Sequence, residues 1–76
     1  MATAFLLLNT ETGREADVVK GLKELKEIKE AHLTYGSNYE VIARMETATM
    51  GELKDAVNWK VKHVRSVLTT LTMIVV

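Results

Sequence analysis

The sequence predicts an α+β domain, a four-stranded antiparallel sheet with two helices on one of its faces. Three observations predict it. Four short runs rich in apolar and β-branched residues, near residues 2–9, 28–35, 39–45 and 67–76, read as strands. Two segments between them carry apolar residues at helical spacing, each behind a Thr-x-x-Glu start signal. The resulting order is strand, helix, strand, strand, helix, strand, which right-handed crossovers close into one antiparallel sheet.

Residues 2–9 (ATAFLLLN) form a continuous apolar run, the pattern of a strand buried on both faces. Thr12 and Glu15 fit a capping box, so a helix is expected from there to about residue 26. Val18, Val19, Leu22 and Leu25 make its apolar stripe, and the charges from Lys20 to Glu27 make a solvated face. Gly21 inside this helix costs roughly 1 kcal/mol against Ala, which close packing on the sheet would account for.

Residues 28–35 return as a strand with Ala31, Leu33 and Tyr35 on one face and His32 and Thr34 on the other. Gly36, Ser37 and Asn38 make a turn, because Gly and Asn tolerate positive φ. Residues 39–45 follow as its hairpin partner, with Val41, Ala43 and Met45 opposite to Glu40, Ile42 and Arg44. Thr49 and Glu52 form a second capping box, and Leu53, Ala56, Val57, Lys60, Val61 and Val64 give the next helix its stripe. Trp59 falls off that stripe. Lys60, Lys62, His63 and Arg65 gather near the helix end, where cations meet the negative end of the helix dipole.

Residues 67–76 contain only Leu, Val, Ile, Met and Thr, most of them β-branched and stiff at χ1. A strand of this kind frays unless a sheet holds it. The strand and helix order is that of a ferredoxin-like βαββαβ fold. Both helices cover one sheet face. The other is expected to carry Phe5, Leu7, Ile42, Leu68 and Ile74, with His32, Thr34, Glu40, Arg44, Thr70 and Thr72 among them. An apolar face of that size needs a cover, and a second copy packed sheet to sheet is the economical one.

Composition narrows the function classes. A chain of 76 residues buries only about 60–65% of its unfolded surface, so its core alone gives thin stability. There is no Cys, hence no disulfide and no thiolate metal site, and the two His lack metal-ligand spacing. Oligomerisation is the supplement that remains. Lys and Arg total 10 and Asp and Glu total 10, a balance that does not favour nucleic acid or anionic membranes. The early apolar run is too short for a membrane span, and the chain reads as soluble and cytoplasmic, with one domain over residues 1–76.

In order along the chain, Thr10-Glu-Thr-Gly-Arg-Glu15, Lys29-Glu-Ala-His-Leu-Thr-Tyr-Gly36, Tyr39-Glu40-Val-Ile-Ala-Arg-Met45, Thr49-Met-Gly-Glu-Leu53 and Val67-Leu-Thr-Thr70-Leu-Thr72 resemble the Lrp/AsnC family. The resemblance is to the effector (RAM) domain of those transcriptional regulators. Because no helix-turn-helix precedes it in this sequence, it is similar to the stand-alone form. The family pattern at the turn is Gly-x-Tyr-Asp. This turn is one residue longer and carries Glu40 in place of Asp.

The resemblance implies homodimers of dimeric α/β-barrel type, further assembly to octamers, and a small amino-acid effector bound between subunits near the hairpin turn. It also implies partnership with a full-length Lrp/AsnC-type regulator rather than direct DNA binding. Carried over to this chain, the ligand-binding residues are Gly36, Ser37, Asn38, Tyr39, Glu40, Thr70 and Thr72, with no cofactor, metal or catalytic residue. The residues themselves support part of this. Glu40 offers an acceptor for an ammonium beside a turn rich in donors, and Thr70 and Thr72 offer hydroxyls. Two other readings share the strand and helix order: a small dimeric α/β-barrel enzyme using His32 and Glu40 as acid and base, and an ACT-like regulatory domain. Neither a nucleophile beside a base nor a glycine-rich entry to the first helix is evident.

Overall fold

The structure, a computed structural model, describes residues 1–36 and 38–76. Its elements are β1 (Ala2–Thr10), α1 (Glu15–Lys23), β2 (Ile28–Leu33), β3 (Val41–Thr47), α2 (Met50–Asp55) continuing into a π-helical segment (Ala56–Val61), and β4 (Val67–Ile74). The four strands form one sheet in the order β2-β3-β1-β4, every neighbouring pair antiparallel. This is the ferredoxin-like arrangement expected from the element order.

The apolar run of β1 occupies a central strand, between β3 and β4. Ala2, Ala4, Leu6, Leu8 and Thr10 alternate into the core, and Val41, Ala43, Met45 and Thr47 of β3 meet them in register. Val18 and Leu22 of α1, with Leu53, Ala56 and Val61 of the second helical stretch, close this face. Leu6, Leu8, Val18, Leu22, Val41, Met45, Leu53 and Val61 are fully enclosed.

Helix starts follow local chemistry in one case and depart from it in the other. At α2 the hydroxyl of Thr49 accepts a hydrogen bond from the Glu52 N–H at 3.2 Å, as its capping box predicts. At α1 the Thr12 box does not form. Gly13 sits at φ +84°, the chain turns there, and Arg14 takes the cap position without a side-chain bond. Glu15 thereby becomes the first helical residue instead of the third, and its carboxyl cannot reach back to close a box. The helix also ends earlier than expected, at Lys23. Gly21 packs against the turn that follows the second helical stretch: a Cβ there would lie 3.1 Å from Val64 Cγ1.

The second helix is not one regular α-helix. From Ala56 to Val61 it widens to π geometry, and the buried pair Ala56 and Val61 lies five residues apart. Lys60, on the predicted apolar stripe, is turned outward and holds Glu27 Oε2 at 2.5 Å. Trp59 is 67% exposed and stacks on His63, ring centroids 6.2 Å apart.

Two β-bulges decide which side chains face where. In β2 the register slips at Lys29, so Ile28 pairs with Met45 while Glu30 pairs with Arg44. In β4 it slips at Leu68: Val67 lies opposite Thr10, but Thr69 lies opposite Asn9. One extra residue reverses the alternation for everything after it. Thr70, Thr72 and Ile74 therefore pair with Leu8, Leu6 and Ala4 and share the helix-covered face. The expected placement of Thr70, Thr72 and Ile74 on the open face is thus corrected. Leu68 is the bulged residue, and Thr69, Leu71 and Met73 take the open-face positions.

The open face carries Phe5 and Leu7 from β1, Ile42 from β3, and Leu71 and Met73 from β4. Its β2 side is charged. The Arg44 Nε donates to Glu30 Oε2 at 2.6 Å and its Nη1 donates to Glu46. The hydrogen bond from Arg44 holds the Glu30 carboxyl below the usual carboxylate range, and Glu30 in turn raises the Arg44 guanidinium. Among the described residues no helix is long and apolar enough to cross a membrane.

Candidate functional site

The hairpin between β2 and β3 and the end of β1 build the site. Thr34 continues the ladder past β2, its N–H donating to Glu40 O at 2.9 Å and its hydroxyl to Tyr39 O at 2.8 Å. The Glu40 N–H donates to Leu8 O at 3.1 Å. These bonds fix both ends of the turn, and Gly36 inside it adopts φ +83°, a left-handed conformation that glycine takes without a Cβ penalty.

The Glu40 side chain is tied to the end of β1. Its Oε1 accepts the Thr10 N–H at 2.8 Å, and its Oε2 lies 3.5 Å from Asn9 Nδ2. Asn9 also donates to Asn38 O and accepts from the Thr69 hydroxyl. A polar row thus crosses three strands at one end of the sheet, Glu40 to Asn9 to Thr69. The Oε1 contact is a structural one; among the described residues Oε2 has only the long contact to Asn9 and keeps acceptor capacity.

Against this turn lies a cavity of about 280 Å³ lined by Glu15, Leu33, Thr34, Tyr35, Gly36, Tyr39 and Glu40. It brings together Gly36, Tyr39 and Glu40 of the residues named from sequence. Asn38 stands beside it, its carbonyl held by Asn9. Ser37 lies outside the described residues. Thr70 and Thr72 do not line the cavity of their own chain: they sit on β4, on the helix side of the sheet. Glu15, Leu33, Thr34 and Tyr35 were not singled out from sequence. Glu15 is concealed in the sequence by its apparent role in a capping box, and of the polar row Glu40, beside the turn, is the member the sequence marks, while Asn9 is not.

His32 and Glu40 are not partnered. The His32 Nε2 faces Glu30 Oε1 at 3.5 Å on the outer strand, while Glu40 holds β1. Among the described residues no group of three or more His, Asp or Glu side chains is placed to hold a metal ion.

The profile of the Lrp/AsnC ligand binding domain matches residues 3–76 of this chain. The hypothetical protein PHS023 from Pyrococcus horikoshii is 36% identical, with a TM-score of 0.92 over 100% of this chain and 90% of its own. FFRP-DM1 is also 36% identical, with a TM-score of 0.93 and complete coverage of both chains. The fold extends to the transcriptional regulator NMB0573 of Neisseria meningitidis in its L-Met complex, 13% identical, with a TM-score of 0.83 over 99% of this chain and 49% of the regulator. No curated protein matches the sequence. The profile match over nearly all residues, on a ferredoxin-like sheet with two helices, places this chain in the Lrp/AsnC family, as a ligand-binding domain of the kind found in its regulators.

Proposed function

We propose that this chain is a non-enzymatic sensor of a free α-amino acid, which it binds in the cavity at the β2–β3 turn and reports through its own assembly. The observation that carries this reading is the cavity itself. It is about 280 Å³, close to the lower limit of small-molecule sites at about 300 Å³. That size suits one amino acid and is too small for a nucleotide. Its wall pairs the Glu40 carboxylate, an acceptor for an ammonium group, with the apolar surface of Leu33 and the aromatic rings of Tyr35 and Tyr39. The L-Met complex of the Neisseria meningitidis regulator supports the ligand class.

The open sheet face supplies the readout. Phe5, Leu71 and Met73 remain 37–45% exposed on it. A second copy packed sheet to sheet would cover them, in the manner of a dimeric α/β-barrel, and further assembly to an octamer would bring Thr70 and Thr72 of a neighbouring copy within reach of the turn. In the cytoplasm such an assembly would act on transcription through a full-length Lrp/AsnC-type regulator, without touching DNA itself.

One charge-assisted contact of about 1.5–3 kcal/mol and a few neutral hydrogen bonds of about 1 kcal/mol each correspond to micromolar to millimolar affinity. Titration calorimetry of the common amino acids, paired with native mass spectrometry, tests the reading. At least one is expected to bind, and Glu40→Gln, which keeps the acceptor for Thr10 while removing the charge, is expected to weaken it about tenfold or more. Absence of heat and of any bound mass across the set would refute the proposal.

A further inference from the structure

The sheet has two edges, and they are built differently. On β2 the side chains of Lys29, Glu30 and His32 stand exposed, the charged and polar groups that keep an edge strand from pairing with another chain. On β4, at the other edge, no charged residue and no Pro occurs from Val67 to Val76. Leu68 and Ile74 stay 62% and 38% exposed, so the helices leave this edge largely open. The Val75 N–H donates to Thr3 O at 2.9 Å. Backbone groups of an antiparallel strand address its two sides alternately, so Met73, Leu71 and Thr69 also bond toward β1. The N–H and C=O groups of Thr70, Thr72 and Ile74 point away from the sheet, with no strand beyond them among the described residues.

We infer that this edge docks the same edge of a second copy, the two β4 strands running antiparallel about a twofold axis at Leu71. The residues themselves select that occupant. In this register Thr70 of each copy lies opposite Thr72 of the other, and each such pair exchanges both of its outward backbone bonds. The Thr side chains then pair across the strands, as Thr does in sheets. Leu71 meets Leu71, and Ile74 meets Leu68. Only Thr69 against Met73 is a mixed pair. With the axis at Thr70, both Thr69 against Leu71 and Leu68 against Thr72 are mixed; at Thr72, both Thr70 against Ile74 and Thr69 against Val75 are. A strand of other sequence would gain the backbone bonds without this matching. The contact uses the edge of β4, whereas sheet-to-sheet packing uses one face, and it does not rest on the amino-acid site.

The chain has no Cys, so introduced cysteines report the contact cleanly. Leu71 would face its own symmetry mate as a non-hydrogen-bonded pair, about 4.5 Å between Cα atoms, a separation that a disulfide bridges. After mild oxidation, Leu71→Cys is expected to run mostly as a covalent dimer on a non-reducing gel. Sheet-to-sheet packing can also bring two copies of that residue together, so a second pair decides. Thr70 and Thr72 lie on the helix side of the sheet, pointing away from the open face. Thr70→Cys mixed with Thr72→Cys is expected to give a mixed covalent dimer, which face packing cannot produce. Absence of that mixed dimer, whether or not Leu71→Cys cross-links, overturns the edge pairing. Thr69→Cys, four residues from its own mate along the paired strands, is expected to stay uncross-linked; cross-linking as complete as that of Leu71→Cys would overturn the register.

Discussion

Leu71→Glu should separate assembly from folding. Leu71 sits on β4 opposite Leu7, in the middle of the open face, and is 43% exposed in the isolated chain. A carboxylate there keeps its water in the monomer, so the fold should persist. Phe5 at 37% and Met73 at 45% exposure are its neighbours in the same patch. Full burial of a large apolar side chain is worth about 1.5–3 kcal/mol, so covering the exposed part of these three gives roughly 3 kcal/mol per copy. Two copies give about twice that, with Leu7 and Ile42 adding to it, against an association cost of about 4 kcal/mol or more. The margin is modest. A twofold interface would carry the substitution on both sides, and burying an unpaired carboxylate costs several kcal/mol each time. That exceeds the whole apolar gain, and dissociation should rise by about a thousandfold or more. Sedimentation at micromolar concentration should show an assembled wild type and a monomeric variant with the same far-ultraviolet circular dichroism. A monomeric wild type, or a variant that stays assembled, would refute the sheet-to-sheet argument.

Leu53→Ala should destabilise the chain by about 2–5 kcal/mol, because Leu53 is the fully buried residue by which α2 joins the core; urea melts measure it, and a loss below about 1 kcal/mol would mean that the core is looser than its packing implies. Thr49→Ala removes the side-chain cap of α2, should cost about 1 kcal/mol, and should lower the melting temperature by about 4–8 °C. Acidification should weaken the Glu27–Lys60 pair. The Lys60 hydrogen bond holds the Glu27 carboxyl below its ordinary value, so its contribution is complete above that value and is lost as pH falls through the lowered one. The stability difference between wild type and Lys60→Met should therefore be largest near neutral pH and shrink in acid; an equal difference at both would show that the pair does not titrate as described.

Much of the fold was legible before any coordinates. The apolar run from Ala4 to Leu8 marks a strand at the heart of the sheet, and β1 is central; of its two expected buried faces the helices cover one, while Phe5 on the other stays exposed. The Gly-Ser-Asn turn between two alternating runs marks the hairpin. Thr49 announces the start of α2, since its capping bond spans only three residues. These are local signals, written in spacing and propensity, and Glu40 beside the turn was visible for the same reason.

What the tertiary structure alone decided is direction. Side chains in a strand alternate strictly, so one bulge at Leu68 exchanges Thr70 and Thr72 for Leu71 and Met73 on the open face, and nothing in the residues of β4 marks where β1 will force the slip. Gly13 likewise displaced the start of α1 and turned Glu15 from an apparent cap into a wall of the cavity. Both outcomes follow from how distant strands and helices register against one another. Short-range patterns carry no term for that, and only the packed sheet supplies it.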